Sequence, residues 1–498
     1  MNKLIKELVK LGLGAIVVLT VLTLPTNISD SAPMAVSPPA QILGIAHGAH
    51  IVPTYNYGDE IKSYNAVVGK KLAIDMYFTD FGSPAGDGKP FDEFLLKMIR
   101  QQLPASDWPV ISISWLPQNG KKALGCDRDY PDGIPPASIA AGACDTYIRA
   151  FARGIKARPE RIILRFAFEM SLLNSKYWPF YFGQGPNDFI AMWRHVHDLF
   201  KAEGVTNVEW LWAPGFDVNP REPWNGMHLY YPGNDYVDWV GPDGYNWWYG
   251  QTPHWDWVWY NDMFDAVSKD FACRYPKPQI VHEIGAADGP GTYNKVNWIN
   301  DMFQQMPKYP FLRAFIWLND YAFGNPSDAD FRVTSTTAHD GGVVGAVPAS
   351  SNIYNTPAGA WTNAYKTALA NPVYRSTLPS LAASTPPSTY CGNGEAVYTV
   401  NPNYVIVERG ESTRHTVLGM LTPTTTTVSL SLPAKITGAV TPNQLPMPWG
   451  TAQVELHTAA DISLGMHTVT VNAGSVPLTI KVYVVDSVTR LYLPITIK

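Results

Sequence analysis

The sequence predicts a (β/α)8 TIM barrel followed by a small all-β sandwich domain, on three observations. From about residue 40 to 320, short apolar runs alternate with longer amphipathic stretches, the pattern of a parallel sheet with helical crossovers. Eight strand-like runs recur there at a mean spacing of about 39 residues, close to the repeat of a closed eight-stranded barrel. Beyond residue 390 the texture changes to short alternating segments separated by Gly, Pro and Thr turns, the pattern of a two-sheet β domain.

Taken in order, the strand candidates are Ile42–His47, Lys71–Tyr77, Pro109–Trp115, Arg161–Phe168, Asn207–Trp212, Val237–Gly241, Gln279–Glu283 and Arg313–Leu318. Most are near-continuous apolar runs, as strands buried on both faces must be. The clearest helices between them, with apolar residues at helical spacing, are Phe91–Leu103, Asp145–Ala157, Asn187–Glu203, Trp257–Phe271 and Tyr293–Met306, and Ala358–Ala370 closes the ring. A Ser/Thr/Pro-rich tract without periodicity, residues 376–389, reads as a linker. In residues 390–498, Tyr404–Glu408, Thr427–Leu432, His467–Asn472 and Leu478–Val485 alternate as strands of an immunoglobulin-like module, which either binds carbohydrate or spaces the barrel from a surface. The barrel domain then spans residues 34–375.

The N-terminus, residues 1–33, places lysines before the uncharged run Leu11–Leu24, as an export signal or N-terminal anchor does. An extracellular or cell-surface location follows, and four cysteines suit it. Cys126 and Cys144 bracket one Gly/Pro/Asp-rich loop and are expected to bridge. Cys273 is expected to stay buried as a small apolar residue. No Cys-x-x-Cys or His-Glu-x-x-His pattern signals a metal or redox site, so no cofactor and no metal are expected. With 16% charged residues, a net charge of −5 and no Lys/Arg cluster, a nucleic-acid partner is not expected. The 17 Trp and 26 Tyr supply aromatic planes of the kind on which sugar rings stack.

Two glutamates carry the chemistry. Glu169 in Arg-Phe-Ala-Phe-Glu-Met and Glu283 in Ile-Val-His-Glu-Ile-Gly each close an apolar strand, the fourth and the seventh. Carboxylates at the C-terminal ends of barrel strands face the position where such folds build active sites, and a pair can divide the roles of acid and nucleophile in glycoside hydrolysis. Arg165, four positions before Glu169, shares its face if the strand is regular. Tyr245, just after strand six, is placed to donate its hydroxyl to Glu283.

With Arg165–Met170, Trp178-Pro-Phe-Tyr-Phe-Gly183, Trp193-Arg-His-Val-His-Asp198, Val208–Pro214 and Tyr230–Asn246, the region from about residue 40 to 372 resembles glycoside hydrolase family 26. The resemblance implies a secreted, retaining endo-β-glycanase acting on β-1,4-mannan or a related plant or microbial β-glycan, with a polysaccharide as its partner. It implies Glu169 as acid and base and Glu283 as nucleophile. It also implies Trp317 as a ring under the sugar at the cleavage point, Trp178 as a leaving-group platform, and Trp212, Trp247 and Trp248 on loops framing the cleft. Asp330-Phe-Arg332 resembles a family segment that holds a sugar, which makes Arg332 a binding candidate. His47 and His50 follow strand one, where they either open on the catalytic face or cap a loop, and His195 and His197 on one helix face different sides and read as structural. The family's usual His-Glu-Met-Asn is here Phe168-Glu169-Met170-Ser171, which removes a polar contact beside the sugar. The alternative expectation is a catalytically silent glycan-binding or envelope-associated surface protein on a hydrolase barrel.

Overall fold

A computed structural model describes residues 44–486, apart from 52–56, 83–90, 92–93, 132, 173–184, 217, 219–224, 248–256, 290, 310, 322–328, 336–356, 358, 382–396, 402, 421–424 and 446–448. The N-terminal segment and Cys391 lie outside the described residues, as does the side chain of Cys273.

Parallel staves form first as β1 (Ile45–His50), β2 (Ile74–Asp80), β3 (Val110–Leu116), β4 (Ile162–Phe166) and β5 (Val208–Trp212). The sixth stave is in two pieces, β6 (Trp239–Val240) and β7 (Gly244–Asn246), and β8 (Gln279–Ala286) and β9 (Leu312–Leu318) follow. β9 pairs with both β8 and β1, which closes the barrel. The first two strands begin three residues later than their apolar patterns suggest. The break in the sixth stave has a local cause. Pro242 has no N–H to give, and a Cβ at Gly241 would sit 1.6 Å from the Ile280 carbonyl oxygen, so only glycine tolerates that approach.

Register fixes which side chains enter the barrel. In-register partners share a face, so Phe78, Ser114 and Arg165 form one inward row, with Met76, Ser112 and Ile163 one layer below. The alternate residues point outward. Trp115 stacks on Phe151 at 4.2 Å, Phe166 packs on Trp193, and Phe315 packs edge-on to Phe303.

The helices are α1 (Tyr57–Val68), α2 (Phe94–Gln102), α3 (Pro136–Ala140), α4 (Asp145–Lys156), α5 (Pro186–Ala202), α6 (Tyr260–Arg274), α7 (Lys295–Gln305) and α8 (Ala360–Leu369). Of these, α1 and α3 are absent from the sequence reading. α4 shows how the layer seats itself: Tyr147, Ile148, Phe151, Ala152 and Ile155 form one buried stripe. Just before it, Cys126 and Cys144 are disulfide-bonded with Cα atoms 4.0 Å apart, as expected from their loop.

After α8, β10 (Tyr374–Arg375) pairs with β1. The start of the Ser/Thr/Pro tract is not free. Leu378 is buried against the barrel, and Arg161 donates to the carbonyls of Leu378 and Pro379 at 3.3 and 2.8 Å. The C-terminal region builds a four-stranded sheet, β11 (Val397–Asn401), β13 (Ser412–Met420), β17 (Trp449–Thr458) and β15 (Ile436–Thr441), in that order. A second sheet runs β12 (Tyr404–Glu408), β19 (Val476–Val485), β18 (Gly465–Ala473), β14 (Thr426–Ser431) and β16 (Gln444–Leu445). Val400, Val417 and Val454 of one sheet and Val405, Val469 and Val482 of the other share one core. This region touches the barrel through an ion pair between Lys481 and Asp262 of α6.

Outside the barrel wall, Asp75 is fully buried and accepts the Tyr57 hydroxyl. Burial pushes its carboxyl up to about 8. Between pH 4 and 8 the folded chain therefore keeps a proton that the unfolded chain releases, so this stabilisation is complete below about pH 4 and is lost as the pH rises towards 8. Asp75→Asn removes the titration. Its melting temperature minus that of the wild type should grow steadily from pH 4 to 8, and a difference that stays flat contradicts the raised carboxyl.

Candidate active site

The inward polar row ends in a charge cluster at the C-terminal mouth of the barrel. Arg165 is fully buried and makes ion pairs with Glu283 through Nη1 and with Asp243 through Nη2. Nη1 also donates to Ser114 Oγ at 3.3 Å. Tyr245 donates its hydroxyl to the other oxygen of Glu283. Asp243 shares a side-chain hydrogen bond with Glu169, so the two predicted carboxylates are connected through Arg165 and Asp243. Glu283 is 5% exposed, whereas Glu169 is half-buried and meets the mouth.

Backbone irregularities aim these groups. Ala167 and Glu169 both adopt left-handed conformations, with φ of 47° and 55°, which ordinarily costs about 1–3 kcal/mol each for non-glycine residues. Neighbouring strands hold them there: Ala167 N donates to the Trp115 carbonyl and Glu169 N to the Ala213 carbonyl, at 2.9 and 3.0 Å. The strand is thus not regular past Phe166, and the kink swings Phe168 from the helix side into the mouth. Its ring lies 3.8 Å from the Arg165 guanidinium carbon and packs on Phe78, which is 38% exposed and meets His50 edge-on.

On β8 the pairing with β9 slips between Val281 and Ile284, a bulge of one residue. A bulge re-aims side chains that strict alternation would send to opposite faces. His282 and Glu283 both reach inward in consequence: His282 Nε2 lies 2.6 Å from Ser112 Oγ in the lower layer, and Glu283 meets Arg165 in the upper.

The electrostatics follow from the burial. For Arg165, burial opposes the charge, but Glu283, Asp243 and Glu169 outweigh it and hold its pKa above the ordinary value. Burial first, then the charge of Glu169, drives Asp243 well above the carboxylate range, against the pull of Arg165. Burial and the neighbouring Glu283 raise Tyr245 well above the phenol range and keep it a donor. His282 is held neutral by burial and by Arg165. Two carboxyls joined by a hydrogen bond hold one proton between them, so Asp243 and Glu169 titrate as a pair.

The other sequence candidates divide. Trp247 is half-buried beside Tyr245 and Phe331, at 5.3 and 5.0 Å between ring centres, and stands at the rim. Trp178 and Trp248 lie outside the described residues. Four expectations are corrected. Trp317 is fully buried, faces the helices, packs edge-on to Trp298 and Tyr365, and donates its indole N–H to the Phe331 carbonyl at 2.8 Å. Being in register with Ala49 on the outward side of the wall, it offers no ring to a sugar. Trp212 is likewise buried outward, against Tyr231, Phe271 and Tyr275. His47 is fully buried among Tyr64, Phe315 and Tyr365, and burial lowers it to about 3. Arg332 is fully buried in an ion pair with Asp330 and lies over the Tyr321 ring. His195 bonds to Asp145 at 2.7 Å, a structural contact. His50 Nδ1 lies 2.7 Å from the Met76 carbonyl oxygen.

Sequence reasoning missed two groups. Asp243 was signalled by Gly241-Pro-Asp-Gly244, a stave-breaking turn at a strand end, where a carboxylate has no packing role. His282 was hidden because period-two alternation assigns it the face opposite Glu283. Among the described residues, no group of three or more His, Cys, Asp or Glu side chains is placed to hold a metal ion.

The chain is thus a parallel eight-stave barrel that carries Glu169 and Glu283 near the C-terminal ends of its fourth and seventh staves, linked through Arg165 and Asp243. No family model matches the chain. It is 27% identical over 286 residues to Endoglucanase H of Acetivibrio thermocellus, covering 55% of this chain and 27% of that protein. The chain thus spans about a quarter of that relative's length. Among solved structures it is similar to a GH26 β-mannanase from Bacteroides ovatus at 16% identity and a TM-score of 0.44, over 67% of this chain and 90% of that one. It is also similar to a GH26-CBM35 β-(1,4)-mannanase from Podospora anserina at 15% identity and a TM-score of 0.33, over 55% and 56% of the two chains.

Asp243→Asn should lower kcat/KM on a cleaved glycoside by about 10- to 100-fold. With one negative neighbour gone, Glu169 ionises more readily, so the alkaline limb of the pH profile should move to lower pH. An unmoved limb would show that the pair is not coupled.

Proposed function

We propose that the chain is a retaining endo-β-glycanase that cleaves β-1,4-mannan, glucomannan or a related β-glucan. The observation that carries this reading is the connection of Glu283, Arg165, Asp243 and Glu169 at one barrel mouth, with Tyr245 fixing Glu283 from the other side. In the first step a Glu283 oxygen attacks the anomeric carbon as the glycosidic C–O bond breaks, and Glu169 passes its proton to the departing oxygen. In the second, Glu169 takes a proton from water, the water oxygen bonds to the anomeric carbon, and the ester to Glu283 breaks. Arg165 and Tyr245 orient Glu283 during attack, and the hydrogen bond from Tyr245 is regained as the carboxylate leaves.

Phe168, itself buried, backs Phe78, whose exposed ring supplies the apolar surface at the mouth. This supports a substrate that presents ring C–H rather than a buried hydroxyl at that point, and it widens the reading from mannan to glucan-containing chains. An extracellular or cell-surface location is part of the proposal, supported by the Cys126–Cys144 disulfide and by the lysine-flanked apolar run before Pro25.

Glu283→Ala should abolish turnover on every glycan and aryl glycoside, since no covalent intermediate can form. Glu169→Ala should retain glycosylation by an activated aryl glycoside, with turnover restored by azide and a β-glycosyl azide as product. Rescue of Glu283→Ala with formation of an α-azide, and none of Glu169→Ala, reverses the two assignments. Absence of cleavage across a panel of mannan, glucomannan, mixed-linkage glucan and xylan rejects the hydrolase reading in favour of a glycan-binding surface protein.

A further inference from the structure

A cavity lies in the helix layer between the start of α6 and one face of α7. It has a volume of ≈ 350 Å³, is open to solvent, and is lined by Trp259, Asn297, Asn300, Asp301 and Gln304. The four α7 residues fall at positions i, i+3, i+4 and i+7, which stack on one side of a helix. A solvated helix face of this kind ordinarily carries Lys and Glu. Here it carries three amides and one carboxylate, turned towards an indole.

Each group has unused hydrogen-bonding capacity. Asn300 and Gln304 are exposed, and their side chains make no hydrogen bond among the described residues. Asn297 spends one amide hydrogen on the Thr292 carbonyl at 2.9 Å and keeps its carbonyl oxygen. Asp301 accepts from Gln305 at one oxygen, at 2.9 Å, while its other oxygen is buried without a partner.

The aromatic side is held in place before any ligand arrives. Trp257 stands perpendicular to Trp259 at 5.6 Å between ring centres and meets Tyr293, which is 48% exposed, at 6.0 Å. Trp259 N donates to Asp262, whose other oxygen pairs with Lys481 of the β region, and Trp298 donates to the Val258 carbonyl at 2.7 Å. An indole fixed on both sides loses little freedom on binding.

An aromatic plane facing amides and one carboxylate matches the two surfaces of a pyranose: apolar C–H groups on a face and hydroxyls around the edge. None of the five lining residues is cationic, so nothing there attracts a phosphate or a uronic acid. Asp301 accepts from hydroxyls and repels anions. We propose that this cavity is a second glycan-binding site on the flank of the barrel, taking one or two pyranose units of a neutral β-glycan. It would hold long or insoluble chains while the mouth acts on them. The inference rests on the glycanase reading only in its choice of glycans.

The test is affinity electrophoresis of the full chain, in the Glu283→Gln background, through gels containing glucomannan, galactomannan, mixed-linkage β-glucan or xylan. Trp259→Ala should weaken retardation by at least about threefold on a glycan that retards the parent, a loss of about 0.7 kcal/mol. The double variant Asn300→Ala/Gln304→Ala, exposed and remote from the core, should act in the same direction. In the chain with Glu283 intact, both changes should leave kcat/KM on aryl glycosides unaltered while raising KM on polysaccharide. Retardation that neither change affects, or no retardation of the parent on any of the four glycans, overturns the site. Trp259-dependent retardation in a chain that cleaves nothing upholds this site and removes the glycanase reading. Cleavage with Trp259-independent retardation does the reverse.

Discussion

One buried guanidinium organises the functional end of this barrel. Arg165 sits on an inward stave position with no exposed surface, and an isolated charge there would be prohibitively costly. Glu283 and Asp243 neutralise it from two different staves, and Ser114 takes a further hydrogen bond. Because removing one partner of such a buried set leaves an uncompensated charge, at a typical cost of about 3–5 kcal/mol, the positions of the carboxylates are tied to that of Arg165. Glu283 cannot drift from Arg165 without exposing both to an apolar wall, and Asp243 cannot without releasing Glu169.

Much of the barrel was legible from the chain. Strands buried on both faces leave apolar runs, and helices leave stripes, so all eight staves and six of the eight α-helices among the described residues appear in the sequence with boundaries off by a few residues. α3 is only five residues long, too short for a period to register. α1 carries Asp59, Glu60 and Lys62 among its apolar residues, which dilutes its stripe.

Facing was harder than position. Both glutamates, Arg165 and Tyr245 come together at the barrel mouth because strand ends and spacing place them there. Trp317, Trp212 and His47 were misassigned because proximity to a strand end does not say which face a side chain takes, and each of these falls on the outward parity. Arg332 failed for another reason: a carboxylate two residues away satisfies it internally. The groups that sequence reasoning missed all depend on local departures from regularity. The bulge at His282–Glu283 and the break in the sixth stave at Asp243 change facing without changing composition.

The kink after β4 also separates two jobs that strands usually combine. At a regular strand position, a side chain that meets a ligand is aligned with residues that pack the wall, so altering one disturbs the other. Phe168 takes its direction from backbone hydrogen bonds made by its neighbours on either side, Ala167 to Trp115 and Glu169 to Ala213, and not from its own ring. A substitution at this position therefore leaves the same two backbone hydrogen bonds aiming whatever residue stands there. The mouth of the barrel holds an interchangeable tooth in a fixed jaw.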